Sequence, residues 1–216
     1  MEQQPIFTKR FMSLFFTNMA VFFVFYGLVT TLPLYAIGVL GKSDDASGLL
    51  VTVFLLSAIL MRPFSGKLLD LFGKKKLLAI SILFYLLCTV LYLFFKPFAL
   101  LLALRFFQGI WFSIATTASG SLAADIIPAN KKGTGLGYFA MSTNLAVVLG
   151  PFLSLLIVQY ASFDALFIVL SVIVTIGALL ALTVKTSDLP KPAHVERNFK
   201  FGFHDLFEKK ALPLAA

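Results

Sequence analysis

The chain has 216 residues, of which 59% are hydrophobic and only 13% charged, and it carries a formal net charge of +8. Soluble domains are roughly 45–50% apolar and about 25% charged, so a mean hydropathy of +0.94 excludes an ordinary soluble globule. The positive charge does not point to nucleic acid, because Lys and Arg lie in short segments between apolar runs, where the positive-inside rule accounts for them.

Lys9 and Arg10 precede an uncharged apolar stretch over 11–40. It is longer than the roughly 7–15-residue apolar core of a signal peptide and predicts a retained first membrane helix. A spanning helix needs about 20 mostly apolar residues. The runs predict six, over 11–37, 46–69, 77–95, 98–124, 135–160 and 163–184. The segment LLVTVFLLSAIL over 49–60 is apolar on every side, unlike the alternating strands of a membrane barrel. Cys88 is the sole cysteine, so no disulfide forms within the chain, and it reads as a small buried apolar side chain.

The loops predict orientation. Lys9, Arg10, Lys67, Lys74, Lys75, Lys76, Lys131, Lys132 and the cations beyond residue 184 fall on one side; Lys42, Lys96, Asp44, Asp45 and Asp164 fall on the other. A multi-pass protein of the cell membrane with both ends of this chain cytoplasmic is expected. Three regions follow: a six-helix bundle over 1–184, a cytoplasmic loop over 185–210, and the start of a seventh helix over 211–216. The loop holds Pro190, Pro192, His194 and His204, with a short surface helix near 203–209. The histidines have no Cys or carboxylate at ligand spacing, so no metal or cofactor is expected. No Ser/His/Asp set shares one membrane depth, and no enzyme is expected.

The most specific pattern lies between the second and third runs: Gly66, Asp70, Gly73 and then Lys74-Lys75-Lys76. Gly66 permits close helix approach, Gly73 a tight turn, and Asp70 at a helix end can hold a cation. In the fourth run stands Arg105-Phe-Phe-Gln108-Gly109, with Arg105 roughly 10 Å deep at 1.5 Å per residue. An arginine there faces a cavity or a partner, or snorkels to the headgroups. Asp125 closes that run on the lysine-rich side. The fifth run holds Asn144 and then Gly150-Pro151, a bend.

These motifs resemble those of the major facilitator superfamily, with Lys74 where Arg is commoner. The resemblance implies an all-α membrane fold of six transmembrane helices, built as two inverted three-helix repeats, forming the N-terminal half of a transporter. It implies a C-terminal six-helix half as partner, a small-molecule substrate and alternating access within the lipid bilayer. It further implies a conformational charge cluster of Gly66, Asp70, Gly73, Lys74 and Asp125, and a proton-coupling or cavity role for Arg105, Gln108 and Gly109. Gly150-Pro151 resembles the antiporter signature of drug-efflux members. The full pattern has glycines where this chain has Ala146, Ser154 and Leu155. Proton-coupled efflux is the expected activity; uptake symport and a non-transporting binding protein are the alternatives.

Four further readings come from the residues themselves. Asn18, Tyr26, Trp111 and Asn144 are polar or aromatic at mid-depth and are substrate-cavity candidates; Asn18, Phe22 and Tyr26 at four-residue steps read as one face. Gly133-Thr-Gly135-Leu-Gly137 lacks the strand and Lys-Ser/Thr ending of a phosphate loop and reads as helix packing through Gly133 and Gly137. Arg62 reads as snorkelling or cavity-facing. No Asp or Glu lies mid-membrane in the six runs.

Overall fold

The computed structural model describes residues 5–184; the expected loop over 185–210 and helix start over 211–216 lie outside them. The described residues form six α-helices: α1 (Lys9–Gly38), α2 (Asp44–Phe72), α3 (Lys74–Leu91), α4 (Phe98–Ile126), α5 (Lys132–Tyr160) and α6 (Phe163–Thr183). A 3-10 turn at Ala129–Lys131 leads into α5, and there is no strand among the described residues. Five helices are long and apolar enough to cross a membrane. The shortest, α3, carries Lys74, Lys75 and Lys76 in its first turn and is apolar beyond it.

The helix ends show which local chemistry extends or stops an apolar run. α2 starts at Asp44 rather than at 46, because the Ser43 hydroxyl accepts the Ala46 N–H and Asp44 and Asp45 sit at the positive end of the helix. Its other end is Gly73, with φ of +83°, a conformation costly for any residue with a Cβ. The chain turns there and α3 begins at once, drawing the lysines into the helix. α3 stops at Leu91 rather than at 95. Leu93 and Phe94 tighten into i→i+3 bonds with Val90 and Leu91, and the following Lys96-Pro97 pair cannot continue a helix. α6 is capped by Ser162, whose hydroxyl accepts the Ala165 N–H.

α1 and α4 form the centre. α1 packs along α5 and α6, α4 packs along α2 and α3, and the two halves meet where α1 touches α4 and α3 touches α6. Exchanging α1, α2, α3 for α4, α5, α6 turns each of these contacts into another of the same set. The equivalents α1 and α4 are three crossings apart in the chain, with α2 and α3 between them, so they cross in opposite senses, as in an inverted repeat.

The interfaces are close where glycine removes a side chain. A Cβ on Gly109 of α4 would fall on the Ser57 hydroxyl and the Phe54 carbonyl of α2. One on Gly150 of α5 would lie 3.1 Å from the Phe23 carbonyl oxygen and 3.2 Å from Tyr26 Cβ of α1. One expectation is corrected. A Cβ on Gly133 or Gly137 would meet nothing within 4 Å; Gly135 is the packed one, against Ile127. A Cβ on Gly66, which is exposed on α2, would also meet nothing within 4 Å among the described residues.

α5 buries a narrow stripe of mostly small residues, among them Ser142, Ala146, Gly150 and Ser154, and leaves Leu145, Val148 and Phe152 exposed. α2 likewise exposes Leu56, Ile59 and Leu60. Such apolar surface suits hydrocarbon as solvent and not water.

Candidate functional site: a buried arginine between three helices

Arg105 is fully buried where α2, α3 and α4 meet. Its Nε donates to the Leu50 carbonyl of α2 at 3.0 Å, and its Nη1 donates to Gln108 Oε1, one turn along α4, at 3.2 Å. The Phe54 ring lies against the guanidinium, with its centroid 4.5 Å from Cζ. Nη2 has no hydrogen-bond partner. The acids among the described residues, Asp44, Asp45, Asp70, Asp125 and Asp164, all stand at or near helix ends. The arginine therefore does not snorkel: neutral dipoles and one aromatic face hold its charge. Burying an ion this way costs several kcal/mol before compensation, and structures retain such groups in membranes mainly for function.

Gln108 is the hub of the network. Its Oε1 also accepts the Tyr92 hydroxyl at 2.9 Å, and its Nε2 donates to Thr89 Oγ1 at 3.2 Å. Gly109 follows and lets α2 close over this region. Thr89 and Tyr92 were not among the expected residues. The signal for them was present: Tyr85, Thr89 and Tyr92 recur at helical spacing in an otherwise apolar run.

At the lysine-rich end, Lys74 Nζ donates to Asp125 Oδ2 at 2.6 Å, joining the start of α3 to the end of α4. Asp70 is exposed on α2 and is not part of this pair. At the opposite end Lys96 Nζ donates to Asp164 Oδ1, also at 2.6 Å, tying the α3–α4 connection to the start of α6. The side chains of the first pair are 30% and 35% exposed and those of the second 44% and 63%. Both pairs are therefore modest, and the second is the more screened.

The remaining candidates separate. Asn18 is buried and joins three helices: Nδ2 donates to Ser142 Oγ (2.8 Å) and Thr143 Oγ1 (3.1 Å) of α5, and Oδ1 accepts from Ser119 Oγ (3.0 Å) of α4. Tyr26 is half-buried and stacks on Phe22. The two differ because each four-residue step turns the helix about 40° beyond a full turn, so Asn18 enters the contact while Tyr26 stays at its edge. Trp111 stacks on Phe84 of α3, centroids 4.4 Å apart. Asn144 is exposed on α5. Gly150 packs on α1, and α5 continues through Pro151. Arg62 is exposed on α2.

Comparison with known proteins gives the arrangement a family. The family model of the Major Facilitator Superfamily matches residues 14–214. The chain is 29% identical over 133 residues to the quinolone resistance protein NorA of Staphylococcus aureus, covering 61% of this chain and 34% of that protein. It is 24% identical over 201 residues to multidrug resistance protein 1 of Bacillus subtilis, covering 91% of this chain and 50% of that protein. The chain thus spans between a third and a half of the length of these relatives. In three dimensions it is similar to a mutant of the peptide transporter POT solved with alafosfalin, with a TM-score of 0.77 at 19% identity, over 83% of this chain and 39% of that one. That likeness concerns the fold. Because the family match runs from the early turns of α1 through the end of α6, and not over one motif alone, the chain belongs to the Major Facilitator Superfamily.

Proposed function

We propose that this segment is the N-terminal half of a secondary transporter that exports a small drug-like molecule by alternating access, coupled to protons. The observation that carries the reading is Arg105, a fully buried cation with no carboxylate beside it among the described residues. A bundle that served only as a scaffold would gain nothing from such a group. The names of the two relatives, resistance to quinolones and to multiple drugs, support export and a drug-like substrate. In this reading Arg105, with Gln108, responds to a proton or to an acid that approaches it. Lys74 and Asp125 hold one state at the surface, with Asp70 and Gly66 turned toward whatever faces α2.

The partner is a second six-helix half. α2 and α5 bury the smallest shares of their length, and α5 presents the Asn144 amide on its open side. The lysine-rich end is cytoplasmic. In inside-out vesicles carrying the complete transporter, a fluorescent quinolone should accumulate only with a pH gradient. Collapsing the gradient should stop accumulation, and Arg105→Gln should abolish it. Accumulation that persists without the gradient would remove proton coupling. Accumulation only in right-side-out vesicles would favour uptake symport, the second reading, which draws on Ala146, Ser154 and Leu155 in place of the antiporter glycines. Residue 75 made cysteine in a Cys88→Ala background should resist label applied outside intact cells.

A further inference from the structure

We propose that Thr89 on α3 and Tyr92 at its C-cap are positioning residues that aim the Arg105 guanidinium through Gln108, Thr89 by fixing the sense of the amide and Tyr92 by filling the second acceptor position of its oxygen; the consequence for transport rests on the role given to Arg105 above.

The argument begins with one hydroxyl proton. Thr89 Oγ1 donates to the Tyr85 carbonyl at 2.8 Å, and a carbonyl can only accept. The proton of Thr89 is therefore committed, and toward Gln108 the same oxygen can only accept. It faces the Gln108 side chain at 3.2 Å and so requires the amide NH2 on that side. Arg105 makes the same demand from the other side, since a guanidinium only donates and its Nη1 faces Gln108 Oε1 at 3.2 Å. The Tyr92 hydroxyl fills the second acceptor position of that oxygen at 2.9 Å. A flipped amide would set its NH2 against Arg105 and leave the Thr89 oxygen facing another oxygen. In a buried site with no exchange with water, each mismatch carries its full penalty.

The result is a fixed direction for the charge. Nε is held by Leu50, Nη1 by Gln108, and one face of the guanidinium by Phe54. Nη2 is left as the donor without a protein partner. Thr89 reaches Arg105 through Gln108, and the Tyr92 hydroxyl also interacts with the guanidinium, so residues of α3 and its C-cap bear on which nitrogen stays open. Thr89 and Tyr92 are both fully buried, so neither can borrow a partner from solvent.

The test uses the whole 216-residue chain in lipid nanodiscs with 15N-labelled arginine. Of its four arginines, Arg10, Arg62, Arg105 and Arg197, Arg105 should give separate, slowly averaging Nη1 and Nη2 signals because its rotation is blocked. Thr89→Val and Tyr92→Phe should each speed the averaging about tenfold, the loss of one hydrogen bond within a charged network. Thr89→Ser, which keeps the oxygen, should preserve the signals. Equal helix content by circular dichroism identifies folded variants, and Tyr92→Phe removes only one atom. Unchanged Arg105 signals in folded Thr89→Val and Tyr92→Phe would overturn the proposal, as would a Thr89→Ser that behaves like Thr89→Val. In the complete transporter, Thr89→Val should displace the pH profile of transport in the same direction as Gln108→Leu, and Thr89→Ser should not. If the signals respond as expected but Arg105→Lys transports normally, the positioning stands and the coupling role of Arg105 is what fails.

Discussion

The two three-helix seams of the bundle share a packing plan and differ in chemistry. The α4-centred seam, with α2 and α3, is built on a buried cation, an amide, a threonine and a tyrosine. The α1-centred seam, with α5 and α6, is built on neutral groups: the Asn18 amide, and Thr17, whose hydroxyl reaches the Gly177 carbonyl of α6 at 3.0 Å. Two hydroxyls that meet Asn18 have a fallback. Ser142 Oγ also bonds the Phe139 carbonyl, and Ser119 Oγ the Thr116 carbonyl, within their own helices. Arg105 has none. The two seams, each built from helices of both repeats, therefore do not share duties evenly: one is a neutral joint and the other holds a buried charge.

The largest expected effect breaks that contrast at its charged end. Arg105→Leu frees the Leu50 carbonyl and Gln108 at once. Hydrogen bonds to charged groups are worth about 1.5–3 kcal/mol each, so transport by the complete protein should fall about a hundredfold or more, as a rate measured at saturating substrate. Next come the glycines. Gly109→Ala drives a methyl into a backbone carbonyl that cannot move, whereas the Gly150→Ala contact is tight but not overlapping. Overpacking costs about 1–3 kcal/mol; Gly109→Ala should lie at the top of that range and Gly150→Ala near the bottom. Cys88 is buried and is the sole cysteine, so the temperature at which it becomes reactive to a fluorescent thiol reagent measures both. Equal shifts would show that the two seams are equally tight. Asn18→Ala should cost less, about 1 kcal/mol in the same assay, typical of interhelical hydrogen bonds in membranes.

Legibility in the sequence followed the same divide. The helices were readable because the bilayer demands long apolar runs, and the turn at Gly73 because only glycine takes its φ readily. The early end of α3 was not, since the apolar residues continue to Phe95 and only Lys96-Pro97 stops the helix. The polarity and depth of Arg105 were visible, but not its company. Spacing along one helix states which side chains share a face, and never which other helix comes alongside. Thr89 and Tyr92 became meaningful only when α3 was laid against α4. Asn18 and Tyr26 look like one face because they are two four-residue steps apart, although together those steps rotate the helix by about 80°. Gly66 has the look of a packing glycine in the sequence, yet a Cβ on it would meet nothing within 4 Å among the described residues.

The smallest effects concern the two ion pairs, which compare the ends of the bundle instead of its seams. Both bridge at 2.6 Å, so geometry alone ranks them equal. Exposure does not, because the Lys96–Asp164 side chains stand farther out in solvent than those of Lys74–Asp125. Screening grows with exposure, and surface pairs measured by double-mutant cycles contribute about 0.2–1 kcal/mol. A cycle of Lys74→Gln and Asp125→Asn should therefore give a coupling near the upper end of that range, and Lys96→Gln with Asp164→Asn one near the lower end. Raising salt should shrink both, the outer pair first. Asp70→Asn should leave the Lys74–Asp125 coupling unchanged, since Asp70 is not part of the pair. A coupling that disappears in the Asp70→Asn background would mean that the three charges act as one cluster. An energy this small cannot decide folding, but about 1 kcal/mol shifts a balanced two-state equilibrium roughly fivefold. The inner pair should accordingly alter the rate of transport by the complete protein while leaving its abundance in the membrane as it was.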